Sequence, residues 1–122
     1  MGNPNRDAGK HFEREIMKLI EGADIPAWRP RDGYPNDIGD ILLTEHDFVL
    51  QAKYTQRNFT SMVNEAMHDV LHQVENAVGE SQVADHAIGV AVIKRKQKPT
   101  AQAMVAMSLG DFIRLLTRKD SS

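Results

Sequence analysis

Polar side chains interrupt an otherwise apolar stretch in the first half of the chain: Asp37 and Asp40 in NDIGDILL, then Gln51 and Lys53 in VLQAKYT. Between these segments lies a polar tip, Thr44 to Asp47, of a length that closes a hairpin. A four-residue loop pairs Leu43 with Phe48, and counting inward from that pair sets Asp40 opposite Gln51. Directly opposed residues share a sheet face, and Lys53, two residues beyond Gln51, shares it too. An acid, an amide and an amine at the open end of a hairpin interrupt the core pattern of Ile41, Leu42, Leu43, Val49 and Leu50. Local conflicts of that kind mark functional sites. The Asp40 carboxylate and the Gln51 side-chain carbonyl are hard oxygen donors suited to Mg²⁺, and the backbone carbonyl of Ala52 is a natural third. The chemistry that fits is metal-assisted hydrolysis. A cation polarises a phosphoryl oxygen and helps generate hydroxide from water, while Lys53 orients that water or stabilises charge on the pentavalent phosphate.

The elements that must position these groups are readable from periodicity. Residues 1–6, with Gly2 and Pro4, read as a loose arm, and Asp7 as the N-cap of a helix. Phe12, Ile16, Leu19 and Ile20 carry that helix to Gly22. Ala27 to Arg31 reads as a short irregular edge strand between Pro26 and Pro30, and Asp32 to Asn36 as a turn. The spacing predicts strands over Ile38–Leu43 and Phe48–Tyr54. A long helix follows from about Thr60 to Val83, its stripe formed by Val63, Ala66, Met67, Val70, Leu71, Val74, Ala77 and Val78. Ala87–Ile93 suits a strand buried on both faces. After the basic turn KRKQKP come a strand over Ala101–Met107 and a closing helix over Leu109–Arg118. The expected fold is one α/β domain over residues 1–122. It has a mixed central sheet of four to five strands flanked by helices, in the order α-β-β-β-α-β-β-α. The connection from Tyr54 to Ala87 is long enough for a right-handed parallel crossover.

With the acid at the start of one strand and Gln-x-Lys on the next, the pattern resembles the PD-(D/E)xK nuclease superfamily. The preceding segment GKHFEREI is similar to the leading helix of that superfamily, which supplies a Glu to the metal site. The Gln form, VLQAKY, is most similar to the Mrr-type restriction endonucleases, and the small size to the archaeal and phage Holliday junction resolvases. The resemblance implies a restriction-endonuclease-like core and a Mg²⁺-dependent DNA endonuclease, with Mn²⁺ able to substitute. Its substrate would be branched DNA. The alternatives are an Mrr-like endonuclease on duplex DNA, or an inactive nuclease-derived binding module. Asp40, Gln51, Lys53 and Glu13 would be catalytic, and Asp40, Gln51, Glu13 and the Ala52 carbonyl would hold the cation. Asp37 competes with Asp40 for the strand-acid role. Glu15 competes with Glu13, but a helical wheel sets Glu13 between Met17 and Ile20 at the edge of the apolar stripe and Glu15 on the wetter side. Gln51 stands where the commoner residue is Glu and lacks its negative charge.

Composition bounds these readings. The 122 residues carry 15 basic and 17 acidic side chains, a net charge of −2, which disfavours a passive nucleic-acid coat protein but leaves room for a local basic site. The absence of Cys excludes thiol nucleophiles and thiolate metal clusters. No apolar run approaches the roughly 20 residues of a membrane span, and MGNPNRDAGK has no signal-peptide core, so a cytoplasmic setting without membrane contact is expected. Candidate phosphate contacts are Arg29 and Arg31 beside Trp28; Tyr54, Gln56, Arg57 and Asn58 after the lysine; and the run Lys94, Arg95, Lys96 and Lys98. His68 and His72 have chelating spacing but no third ligand, and HDVLH lacks the Glu of a zinc protease. His11, His46 and His86 read as surface residues, and Met62, Met67, Met104 and Met107 as core. Cutting two DNA strands needs two sites, so a C₂ homodimer is expected. Its contact would be on the long helix around Met62 and Val70, or on the closing helix at Phe112 and Leu116.

Overall fold

The structure is a computed structural model that describes residues 4–54 and 58–118. Helix α1 (Pro4–Gly22) begins earlier than Asp7. Proline suits a first helical turn, where its missing N–H has no partner to lose, so the arm expected over residues 1–6 is helical from residue 4. No strand forms over residues 27–31. Trp28 makes a single bridge to Leu42, with N···O distances of 2.9 and 2.8 Å. Pro26 and Pro30 on either side cannot donate to a ladder, which confines the pairing to that bridge. The sheet therefore has four strands, and the order is α-β-β-α-β-β-α.

Strands β1 (Ile41–Leu43) and β2 (Phe48–Lys53) form an antiparallel hairpin in the register Ile41↔Leu50, Leu42↔Val49, Leu43↔Phe48. Helix α2 (Phe59–Gly79) is capped by Asn58, whose side chain accepts from Ser61 N at 3.1 Å. It stops four residues short of Val83, and Ser81 then takes a left-handed conformation (φ 58°) that turns the chain back. Strand β3 (Ile88–Ile93) runs parallel to β2, from Phe48↔Ile88 to Lys53↔Ile93. A 3₁₀ turn (Thr100–Gln102), strand β4 (Met104–Ala106, antiparallel to β3) and helix α3 (Leu109–Thr117) complete the chain, and the sheet order is β1-β2-β3-β4.

Alternation divides the sheet between two helices. On one face Phe12 and Ile16 of α1 pack on Ile41, Leu50, Ile88, Val90 and Val92. On the other, α2 brings Val70 and Ala77 onto Leu42 and Val49, and Met62 and Ala66 onto Ala91 and Ile93. Each large side chain fully buried this way contributes about 1.5–3 kcal/mol of transfer free energy. β3 is buried at every position, as its continuous apolar run anticipates. Met62 and Val70 are core, so the long helix offers no dimer contact there. Met104, expected in the core, is 44% exposed on β4, an edge strand with no further strand beyond it among the described residues.

The topology gathers the polar groups. β1 starts where its antiparallel partner β2 ends, and the parallel β3 ends there too. Asp40, Lys53 and the basic turn after Ile93 therefore share one end of the sheet. Gly89 lets α2 approach closely: a Cβ there would lie 2.9 Å from Val74 Cγ2 and 3.0 and 3.1 Å from the Val70 methyls. Gly89→Ala should lower unfolding free energy by about 1–3 kcal/mol through overpacking. Gly9→Ala, where a Cβ meets nothing within 4 Å, should be neutral or stabilising by about 0.5–1 kcal/mol. Urea unfolding of both variants checks this.

Candidate functional site

The one-to-one hairpin register ends at Ile41↔Leu50. Asp40 N donates to Leu50 O at 2.9 Å, although Leu50 is the partner of Ile41, and Asp40 Oδ2 accepts from Ala52 N at 2.8 Å, so the one-to-one pairing of Asp40 with Gln51 expected from the count gives way to a bulge. The Asp40 carboxylate stands in for a backbone carbonyl and terminates the ladder. Gln51 and Lys53 follow Val49 on the face toward α2. There they meet a row of polar side chains along that helix: Glu65, Asp69, Gln73, Asn76 and Glu80, spaced by four, four, three and four residues. Lys53 Nζ lies 3.4 Å from Glu65 Oε1 and 3.2 Å from Asp69 Oδ2. Gln73 Nε2 donates to Gln51 Oε1 at 2.6 Å and to Asp37 Oδ2 at 3.1 Å. Asn76 Nδ2 donates to the Asp37 carbonyl at 2.7 Å. Glu80 accepts from Tyr34 Oη at 2.6 Å and from Asn36 Nδ2 at 2.7 Å. The loop before β1 is thus fastened to α2 at several successive points.

That loop walls a cleft of about 450 Å³, with Lys10 and Glu13 of α1 on its other side; Arg31, Asp37 and Asp40 line it. Burial is the largest reason that the Asp40 carboxyl is pushed up from its ordinary value of 3.8 to about 7, and the negative charges of Glu13 and then Asp37 add to it. The Ala52 N–H and Lys53 act in the opposite direction. Glu13 Oε1 accepts from Arg29 Nε at 3.0 Å. Glu15 points elsewhere, accepting from Thr100 Oγ1 at 2.9 Å, so Glu13 is the leading-helix carboxylate that reaches the cleft. Asp37 and Asp40 both line it, whereas Gln51 and Lys53 are directed to α2.

The proposed DNA contacts divide. Arg31 is exposed on the cleft rim, while Arg29 is paired with Glu13. Lys10 is paired with Asp32. The Tyr54 ring packs against Phe12 with centroids 6.2 Å apart, which makes it part of the core edge and not a free contact at the mouth. Asn58 serves as the α2 cap. Arg57 and Gln56 lie outside the described residues. Lys94 Nζ closes its own turn by donating to the carbonyls of Arg95 and Lys98, and Lys94 N donates to Lys53 O at 3.0 Å; Arg95 and Lys96 are exposed. His68 and His72 stack edge to face 5.9 Å apart on the outside of α2. Among the described residues, no three His, Asp or Glu side chains form a ready metal cluster.

Compared with protein-family models, curated proteins and solved structures, the chain has no significant match.

The α2 polar row escaped the sequence reading, which followed only the apolar stripe of that helix. Its signal was available: Gln73, Asn76 and Glu80 recur at helical spacing beside the stripe, on the side that a crossover helix turns to the strand before it. The Asp40 shift carries a pH dependence. The folded pKa lies above the unfolded one, so the folded state binds the extra proton between pH 4 and 7. Stability therefore falls as pH rises through that window and levels off above it. Asp40→Asn, measured in chelator, should flatten this slope and gain of order 1–3 kcal/mol over wild type at pH 8 relative to pH 4. Urea melts at the two pH values check it, and a wild-type slope retained by the variant would assign the dependence to another group.

Proposed function

We propose that the protein is a Mg²⁺-dependent DNA endonuclease of the PD-(D/E)xK kind, with a restriction-endonuclease-like core and a preference for branched DNA. The observation that carries this reading is the gathering of Asp40, Asp37 and Glu13 around one cleft at the end of a mixed sheet, with Asp40 held by the Ala52 N–H next to Gln51 in sequence. Open α/β sheets bind ligands at the carboxyl ends of their strands, and the basic turn stands at that same end.

Asp40, the Gln51 carbonyl oxygen, the Ala52 backbone carbonyl and Glu13 would hold the cation, with Asp37 adjacent. All are hard oxygen donors of the kind Mg²⁺ takes, and the proximity of Glu13 and Asp37 to Asp40 concentrates negative charge that a divalent ion would neutralise. When bound, Mg²⁺ supplies Lewis-acid polarisation of a phosphoryl oxygen and lowers the pKa of water. Lys53 orients the attacking water or takes up the developing phosphate charge, exchanging its contacts to Glu65 and Asp69 for the substrate. Water is the nucleophile, so no covalent intermediate is required. Arg31, Arg95 and Lys96 contact backbone phosphates, with Arg29 and Lys94 supporting them from the cleft wall and the turn.

A second reading has its own observation. The Lys53 ammonium is engaged by Glu65 and Asp69, and Gln51 carries no charge, which favours an inactive DNA-binding module derived from a nuclease. Plasmid nicking in Mg²⁺ or Mn²⁺, with EDTA as control, separates the two. On the first reading wild type nicks, and Lys53→Ala and Asp40→Ala each lose about 10²–10³ in rate while remaining folded. Four-way junction binding without any cleavage selects the module. Tighter binding to linear duplex than to junctions at equal salt selects an Mrr-like substrate.

Paired cleavage calls for a C₂ homodimer. The exposed apolar side chains Phe112 and Leu116 on α3, together with Val105 on the β4 edge, are its contact in this proposal. Sedimentation at micromolar protein should give a dimer that Leu116→Glu converts to monomer. A wild-type monomer, free and on junction DNA, would remove paired cleavage from the proposal.

A further inference from the structure

Gln73 is the buried polar residue of α2, 2% exposed and set between the core positions Val70 and Ala77. An amide there costs stability unless its hydrogens are met, and an apolar side chain would extend the helix stripe without that cost. Its two hydrogens have two acceptors, Gln51 Oε1 on β2 and Asp37 Oδ2 in the loop before β1. Its own oxygen is buried with no hydrogen-bond partner among the described residues. That oxygen lies 3.5 Å from the point where a Cβ on residue 39 would stand, and residue 39 is a glycine at φ +103°. The amide is therefore fixed one way round. Reversing it would set the Gln73 oxygen against the oxygens of Asp37 and Gln51.

This orientation bears on Gln51. A glutamate at that position offers oxygen whichever way its carboxylate rotates, whereas a glutamine offers oxygen one way and N–H the other. Because Gln73 donates to it, the Gln51 oxygen is turned to the side where Asp37 lies, and Asp37 lines the cleft. We infer that Gln73 is a positioning residue that sets the amide of Gln51 with its carbonyl oxygen as the cation donor, and that this is what makes Gln serviceable at position 51. The inference rests on the cation-site reading of the preceding section and acts through Gln51, not on substrate. Outer hydrogen-bond partners of metal ligands act in this way, fixing orientation and raising donor strength.

The test is a double-mutant cycle read by cation affinity, with Mn²⁺ titrated calorimetrically into the full chain without DNA. Gln73→Met keeps the length and helix preference of the side chain and removes both hydrogens. In the wild-type background it should weaken Mn²⁺ binding by about 10–100-fold. In a Gln51→Glu background, where either oxygen serves, the same substitution should cost only a few-fold. Urea melts report folding of each variant, and Gln73→Glu provides an isosteric second probe. It remains able to accept from the Gln51 N–H₂ and should therefore weaken Mn²⁺ binding by turning the Gln51 oxygen away. Equal losses in the two backgrounds would reduce Gln73 to a structural role and overturn the inference, as would a wild-type chain that binds no Mn²⁺. Coupled losses in a protein that cleaves no DNA would sustain it while removing the nuclease reading.

Discussion

Burying the amide of Gln73 within the packed face of α2 is favourable only while β2 and the loop before β1 meet its two hydrogens, and most of the site geometry follows from that requirement. Gln51 reaches it because the parallel pairing of β2 with β3 fixes where the crossover helix lies over the sheet. Asp37 reaches it because Gly39 takes a left-handed conformation in which a side chain would strike Val49 at 2.6 Å. Asn76 and Glu80, farther along the same row, bind the loop at Asp37, Asn36 and Tyr34, so the cleft wall is fastened to the helix without an apolar core of its own. A loop that buries little beyond Ile38 needs directional bonds to have one conformation, and α2 supplies them.

The same helix sets the electrostatic balance of the site. Burial first, and then the charges of Glu13 and Asp37, push the Asp40 carboxyl up to about 7, and Lys53 exerts only the smallest of the influences on it. The lysine is directed instead to Glu65 and Asp69. Glu65 is exposed and Asp69 half-exposed, so those ion pairs are worth little against solvent and are readily exchanged for a more highly charged partner. The cleft thus gathers carboxylates on the side of α1 and the β1 loop, while the lysine is held on exposed carboxylates of α2.

Much of this was legible in the sequence, and the exceptions have physical reasons. The hairpin register from Leu43↔Phe48 to Ile41↔Leu50 followed from a four-residue tip between alternating segments, but counting could not foresee that Asp40 leaves that register to bond Leu50 O and Ala52 N. The continuous run of Ile88 to Ile93 declared a strand covered on both sides. The segment around Trp28 had strand-like residues, but its prolines could not sustain a ladder, and pattern alone does not weigh one bridge against several. The orientation of Lys53 was out of reach, because spacing within a strand fixes the face of a side chain and not the partner its long stem finds. Asp37 and Gln73 are 36 residues apart, and nothing local links them. Only the crossover brings them together. Apolar periodicity on α2 likewise did not distinguish Val70, wholly buried, from Leu71, which faces solvent, because both belong to a stripe drawn wider than the sheet beneath it.

The far end of the sheet is organised by different forces, and this decides where a partner can sit. α3 buries no residue completely. It is held by its arginines: Arg114 donates to His86 O at 2.7 Å, and Arg118 donates to the carbonyls of His46 and His86 at 2.8 and 3.0 Å and lies 5.0 Å from the centre of the Phe48 ring. Charge-assisted bonds to loop carbonyls, with Leu115 packed at the edge of the core, orient the helix and leave Leu109, Phe112, Ile113 and Leu116 exposed, as is Val105 of β4. β4 and β1 are the opposite edges of the sheet. A partner that covers the β4 edge and α3 therefore leaves the cleft beside β1 open, and two copies joined there would each keep a free site. The exposed apolar surface of α3 and β4 and the polar cleft beside β1 thus occupy opposite edges of the sheet.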